Sequence, residues 1–183
     1  MTHGAGGGDD HHTLVALQQA LQQDPGLPVR RIEFSYRRQA RRFPDRAPKL
    51  IVELRSAAQA FAAELGVDAA RIVLGGRSLG GRVCSMAVSE GLPAAGLVLL
   101  SYPLHPPRMP GRLRVGHFGN IDVPVLFVTG DRDPFGSPEE FAAHFGAIAG
   151  AVTVRWLEGQ NHDPKPAADP EIIAAVAEFL KSL

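Results

Sequence analysis

Residues 71–82 read Arg71-Ile72-Val73-Leu74-Gly75-Gly76-Arg77-Ser78-Leu79-Gly80-Gly81-Arg82. The run Ile72-Val73-Leu74 is apolar at successive positions, as a parallel strand buried on both faces requires. Gly76-Arg77-Ser78-Leu79-Gly80 then fits the pattern G-x-S-x-G, a strand that turns at once into a helix. Such a turn forces its apex residue into strained backbone angles, and neighbours two positions away must lack side chains. Val83, Ala87 and Val88 continue at helical spacing until Gly91-Leu92-Pro93. Ser78 is therefore expected to stand exposed at a helix N-terminus, where free amides and the helix dipole favour a developing negative charge. The plain alternative for Ser78 is a helix-capping serine.

Outward from this stretch, apolar runs alternate with amphipathic ones. Val29 to Tyr36 reads as a strand, less apolar than the others and nearer an edge; Ala95–Leu100, Val123–Thr129 and Val152–Leu157 read as further strands. Asp9 or Asp10 is placed to cap a helix with Leu14, Leu17 and Leu21 on one face, ended by Asp24-Pro25-Gly26. Leu50, Leu54, Ala57, Phe61 and Leu65 mark a long helix that ends at Gly66. Ser137-Pro138-Glu139-Glu140 is a capping box opening a helix with Phe141, Phe145 and Ile148 inside. Asp169-Pro170 opens a closing helix with Ile173, Val176, Leu180 and Leu183 on one face. The segment between Tyr36 and Pro48 is a loop carrying Arg37, Arg38, Arg41, Arg42 and Arg46. Neither a repeat nor a linker interrupts residues 1–183, so one domain is expected. Alternating strands and helices imply an α/β fold with a mainly parallel sheet covered on both sides. Right-handed crossovers put every strand-to-helix loop on the carboxyl edge of that sheet.

Two further loops on this edge carry chemistry. Gly130-Asp131-Arg132-Asp133-Pro134-Phe135-Gly136 follows the Val123 strand, and Glu158-Gly159-Gln160-Asn161-His162-Asp163 follows the Val152 strand. A serine hydroxyl is a weak nucleophile unless a base takes its proton, and an imidazole suits that task near neutral pH. A carboxylate behind the imidazole fixes its tautomer. Ser78, an aspartate and His162 thus occur in the chain order expected for this chemistry on an α/β fold whose serine sits in a G-x-S-x-G turn. Asp131 and Asp133 both compete for the acid; Asp131 directly follows the strand glycine, where it also suits a simple turn. For His162 the plain alternative is an exposed loop histidine.

These residues resemble the α/β-hydrolase superfamily, and within it a dienelactone-hydrolase-like branch that includes relatives of testis-expressed protein 30 and of subunit 3 of the NSL complex. The stretches that carry the resemblance are His3-Gly4-Ala5-Gly6-Gly7, Gly75–Arg82, Ser101-Tyr102-Pro103-Leu104-His105-Pro106-Pro107, Gly130–Gly136 and Gly159-Gln160-Asn161-His162. The resemblance implies a three-layer α/β-hydrolase sandwich without a large lid. It implies Ser78 as nucleophile, Asp133 as acid and His162 as base, with the amides of Leu79 and Ala5 as oxyanion hole. Dienelactone hydrolases proper use cysteine where Ser78 stands. In the superfamily a central strand leads into the His-Gly-x turn, yet Met1 and Thr2 alone precede His3. That strand is accordingly missing, and it is expected either ahead of Met1 or as a gap between the Val29 and Ile72 strands. The first of these is favoured, since the Ile72-Val73-Leu74 strand, apolar on both faces, calls for a neighbour on each side.

Composition narrows the alternatives. Of 183 residues, 19 are Lys or Arg and 19 Asp or Glu, so net charge draws the chain toward neither nucleic acid nor an anionic membrane. A lone Cys84 allows no intramolecular disulfide and fits a cytoplasmic location; it reads as helix packing rather than a reactive thiol. There is no apolar run of membrane-spanning length. Asp9-Asp10-His11-His12 holds metal-ligand residue types, but adjacent side chains diverge on a helix, so no metal and no cofactor are expected. His3 and His105 read as loop-shaping residues, and the Arg37–Arg46 cluster as a solvated loop. Gly75–Gly81 does not satisfy G-x-G-x-x-G, which argues against a dinucleotide. The leading expectation is a serine hydrolase acting on small, short-chain esters or thioesters, because residues 103–122 leave too little chain for a lid domain. Its rival is a non-catalytic interaction module of the same fold.

Overall fold

The computed structural model describes residues 1–183. Four strands, β1 (Val73–Arg77), β2 (Gly96–Leu100), β3 (Val125–Gly130) and β4 (Val152–Leu157), form a parallel sheet in the order β1-β2-β3-β4. The helices are α1 (His12–Gln23), α2 (Ser35–Arg38), α3 (Ala47–Leu65), α4 (Leu79–Ser89), α5 (Pro138–Phe145) and α6 (Asp169–Lys181).

Strand alternation sorts the apolar side chains into two cores. Leu97 and Leu99 of β2, with Val125 and Phe127 of β3, face α3, α4 and α5 through Leu50, Leu54, Val83 and Phe141. Val98, Leu100, Leu126 and Val128 face α1 and α6 through Leu14, Leu17, Ile172 and Phe179. β2 and β3 are buried at every position, whereas β4 alternates because it lies at the edge. The result is a helix–sheet–helix sandwich, with the loops after β1, β3 and β4 on one edge.

Several local expectations need correction. The Val29–Tyr36 segment is not a strand: Ile32 makes a single parallel bridge to Thr2, and Ser35–Arg38 is a helical turn. Glu53 on α3 ends the extended run by accepting the Ser35 amide at 2.7 Å and its hydroxyl at 2.5 Å. The cap of α1 is His11 and not Asp9 or Asp10, because the His11 ring accepts the Thr13 amide. On α3 the buried residues are Leu50, Ile51, Leu54, Ala58 and Ala62. Ala57, Phe61 and Leu65 instead line, with Leu54 and Val73, an apolar cavity of about 580 Å³ beside β1. Ile148 lies beyond the end of α5, and Leu183 is exposed, Phe179 taking the inward position on α6.

The open side of β1 is met by one residue. Thr2 donates its amide to the Gly75 carbonyl at 2.9 Å, and its carbonyl accepts from Arg77 at 3.0 Å. On its other side the Met1 carbonyl accepts from the Ile32 amide at 2.8 Å. Residues 1–3 thus sit between Ile32 and β1, which do not pair directly.

Candidate active site

Ser78 sits between the end of β1 and the start of α4 with φ 51° and ψ −113°, angles that L-residues with a Cβ rarely adopt. The glycines around it are a steric necessity. A Cβ on Gly76 would come 2.6 Å from the Gly80 carbonyl carbon, and one on Gly80 would come 2.7 Å from the His3 carbonyl oxygen. The strained turn lifts Ser78 off the sheet toward the loop after β4. Its Oγ stands 2.8 Å from His162 Nε2.

Behind the ring, His162 Nδ1 lies 2.8 Å from Asp133 Oδ2. A carboxylate only accepts, so Nδ1 carries the proton and Nε2 is free to accept from the serine hydroxyl. The Asp133 side chain is fully buried and held from three directions. Its Oδ1 accepts the Phe135 amide at 2.8 Å, and its Oδ2 also accepts the Thr129 hydroxyl at 3.4 Å. The Phe135 ring stacks on the His162 imidazole, with centroids 3.9 Å apart.

Asp131, the other aspartate of this loop, accepts the Gly159 amide and so fastens the β3 loop to the β4 loop. His3 is buried; its Nε2 accepts the Phe34 amide at 3.1 Å, which leaves Nδ1 to donate to the Gly4 carbonyl at 2.7 Å. That closure, with the Tyr36 hydroxyl donating to the Ala5 carbonyl at 2.9 Å, holds the His3-Gly4-Ala5 turn beside the elbow. Gly4 abuts both the Ser78 Cβ and the Arg77 guanidinium. His105 also shapes its own loop, bonding the Pro106 carbonyl and Glu140.

Sequence reasoning missed Arg77, Thr129, Phe135 and Tyr36. Thr129 and Phe135 flank Asp133 within four residues, and that closeness is the one signal the sequence offers. Arg77 gives no such signal, because its partners, the His162 carbonyl and Asp163, are more than 80 residues away.

Cys84 is buried with its thiol 3.4 Å from the Gly75 carbonyl, and burial pushes its pKa up, which keeps it protonated and inert. His11, His12 and Asp163 are the three metal-ligating groups that converge, their ligand atoms all within 4.8 Å of one another. Each is already engaged: His11 with Asp163, His12 with Asp169, and Asp163 with the Arg77 guanidinium, a cation where a metal would bind. No helix is long and apolar enough to cross a membrane.

A parallel sheet with helices on both faces, and Ser78 at a strained strand-to-helix turn beside a half-buried histidine backed by a buried aspartate, defines an α/β hydrolase. The chain belongs to the alpha/beta hydrolase domain family, whose model matches residues 1–174. Among solved structures it is similar to a protein from Xanthomonas campestris pathovar campestris assigned to the α/β hydrolase superfamily. Identity there is 25%, covering 100% of this chain and 96% of that one, with a TM-score of 0.72. It shares its fold with Est1E from Butyrivibrio proteoclasticus, solved with ferulic acid bound, at 18% identity, 99% and 86% coverage and a TM-score of 0.79. It also shares it with a lidless α/β serine hydrolase from Xanthomonas campestris, at 18% identity, 97% and 80% coverage and a TM-score of 0.72.

Proposed function

We propose that this chain is a serine hydrolase that cleaves small carboxylic esters or thioesters through an acyl-enzyme. The observation that carries the reading is the unbroken line from Ser78 Oγ to His162 Nε2 and from His162 Nδ1 to Asp133 Oδ2, each step 2.8 Å.

In this reading Ser78 Oγ attacks the ester carbonyl carbon while His162 Nε2 takes its proton. Asp133 holds the ring in the required tautomer and stabilises the imidazolium. The negative charge moves to the carbonyl oxygen, where the amides of Leu79 and Ala5 receive it; one such donor contributes roughly 10²–10³ in rate. The tetrahedral species collapses, the bond to the leaving alcohol or thiol breaks, and His162 returns the proton to it. Water, deprotonated by His162, then attacks the acyl carbon; Ser78 leaves with the proton and the acid departs.

The loop between β2 and β3 carries a single three-residue helical turn, Phe118–Asn120, in place of a lid domain. That supports an open pocket and short acyl groups, and the lidless fold relative agrees with it. The sequences Gly75–Arg82 and Ser101–Pro107 support a place in the dienelactone-hydrolase-like branch. A single buried thiol suits a reducing, cytoplasmic setting.

Intact-mass measurement after treatment with a fluorophosphonate probe tests the reading. One adduct per chain is expected, absent from the Ser78→Ala protein. Equal labelling of both proteins, or none of the wild type with no ester hydrolysis, would leave the interaction-module reading in its place.

A further inference from the structure

Arg77 occupies the first variable position of Gly76-Arg77-Ser78-Leu79-Gly80. Its backbone amide donates to the Thr2 carbonyl at 3.0 Å, tying the elbow to the segment that leads into the His3-Gly4-Ala5 turn. Its side chain goes the other way. Nη2 donates to the His162 carbonyl at 3.0 Å and to Asp163 Oδ1 at 2.7 Å. Nη1 lies under Gly4, close enough that a Cβ there would be 3.0 Å from it. The Arg77 side chain is 12% exposed, so this guanidinium is walled in between three pieces of chain.

Those three pieces each carry one part of the site. The elbow presents Ser78, the β4 loop presents His162, and the Gly4 turn presents the Ala5 amide. They come from sequence positions that share no secondary-structure element. Apart from the Ser78–His162 bond itself, the hydrogen bonds that tie the β4 loop to the elbow come from Arg77, and one of them goes to the backbone of His162. Asp163 is braced in turn by His11, whose Nδ1 accepts the Thr13 amide and whose Nε2 therefore donates to Asp163 at 3.0 Å. Both bonds leave from one nitrogen, Nη2, whose two N–H groups are fixed in the guanidinium plane, so position and angle are set together. A lysine ammonium would supply the charge without that planar geometry.

We propose that Arg77 is a positioning residue that locks the His162 loop and the Gly4 turn onto the nucleophile elbow, setting the approach of His162 Nε2 to Ser78 Oγ. This inference rests on the Ser78 hydrolase reading. Misplacing a reacting group by about 1 Å costs on the order of 10²-fold in rate, so the effect belongs in the chemical step and not in binding.

The experiment measures the stoichiometry and rate of fluorophosphonate labelling, and kcat and KM on p-nitrophenyl acetate. The proteins are the wild type, Arg77→Met, Arg77→Gln, Arg77→Lys and Asp163→Asn. For Met and Gln the expected result is one adduct per chain, formed roughly 10- to 100-fold more slowly. The same fall is expected in kcat with KM within about threefold. Arg77→Lys recovers part of the rate, and Asp163→Asn, which leaves the bond to the His162 carbonyl, loses less than Arg77→Met. A purely structural role would instead lower the number of adducts per chain while leaving the rate of the remaining active fraction unchanged, and that result overturns the inference. So does a wild-type labelling rate in whichever of the Met and Gln proteins folds. A wild type that takes no label overturns the serine reading itself and this inference with it.

Discussion

Asp131 Oδ1 accepts the amide of Gly159 at 2.7 Å, while Asp133, two residues on, turns its carboxylate inward to His162. Neighbouring carboxylates in one loop therefore do different work: one joins two loops, the other orients an imidazole. Replacing Asp133 by Asn offers His162 an amide that can favour the wrong tautomer, and kcat is expected to fall by roughly 10⁴-fold. Asp131→Ala is expected to keep kcat within about tenfold and to cost about 1 kcal/mol of stability through the lost bond. Kinetics on p-nitrophenyl acetate and urea denaturation of both proteins check this; an Asp131→Ala protein as inactive as Asp133→Asn would reverse the assignment.

The Phe135 ring covers one face of the His162 imidazole at 3.9 Å. Stacking of this kind contributes about 0.5–1.5 kcal/mol, which corresponds to roughly two- to tenfold if it is spent on holding the ring in place. Phe135→Leu is expected to lower kcat by that factor with little change in melting temperature. An unchanged kcat would show that the hydrogen bond to Asp133 orients the ring unaided.

Close approach of residues 2–3 to the elbow makes Gly80 irreplaceable. An alanine Cβ there would lie 2.7 Å from both the Thr2 and the His3 carbonyl oxygens, which are backbone and cannot swing aside. Gly80→Ala is expected to destabilise by about 3 kcal/mol or more, at the upper end of overpacking. Gly7→Ala, where the new methyl meets nothing within 4 Å, serves as the control and should stay within about 0.5 kcal/mol. Thermal melts of the two proteins decide the matter.

Acid sensitivity is expected from His117. Burial, reinforced by the nearby Arg82 guanidinium, brings its pKa down to about 4. Its ring bonds the Ser85 hydroxyl at 2.8 Å. In the unfolded chain the same group titrates near its ordinary value of about 6.5. Between these two values the unfolded state binds more protons than the folded one, so stability rises with pH across that window and falls as pH drops from about 6.5 to 4. His117→Gln should flatten the slope of urea-midpoint stability against pH there, and an unchanged slope would remove His117 as its cause.

The sequence by itself determined the elements whose rules are local. Apolar runs of strand length placed β1, β2 and β3, because a strand covered on both faces must be apolar on both, whereas β4, at the edge, carries Thr153 and Arg155. The glycines around Ser78 announced the elbow, because no other residue fits that turn. Ser137 and Glu140 announced the start of α5, because a capping box closes within four residues. Because strand ends of a parallel sheet share one edge, the sequence puts Ser78, His162 and the pair Asp131 and Asp133 near one another, and the fold decides that Asp133 is the one whose carboxylate meets His162. Tertiary structure decided the rest. Residues 29–36 have strand composition, but a strand is a relation to a neighbour. There the neighbour is Met1–Thr2 alone, and Glu53 on a distant helix draws Ser35 into a helical turn. Arg77 likewise is, in sequence, only the first variable position of G-x-S-x-G. Its partners are carbonyl and carboxylate groups that folding brings from the far end of the chain, and no local pattern of charge or spacing can encode a hydrogen bond between residues 85 positions apart.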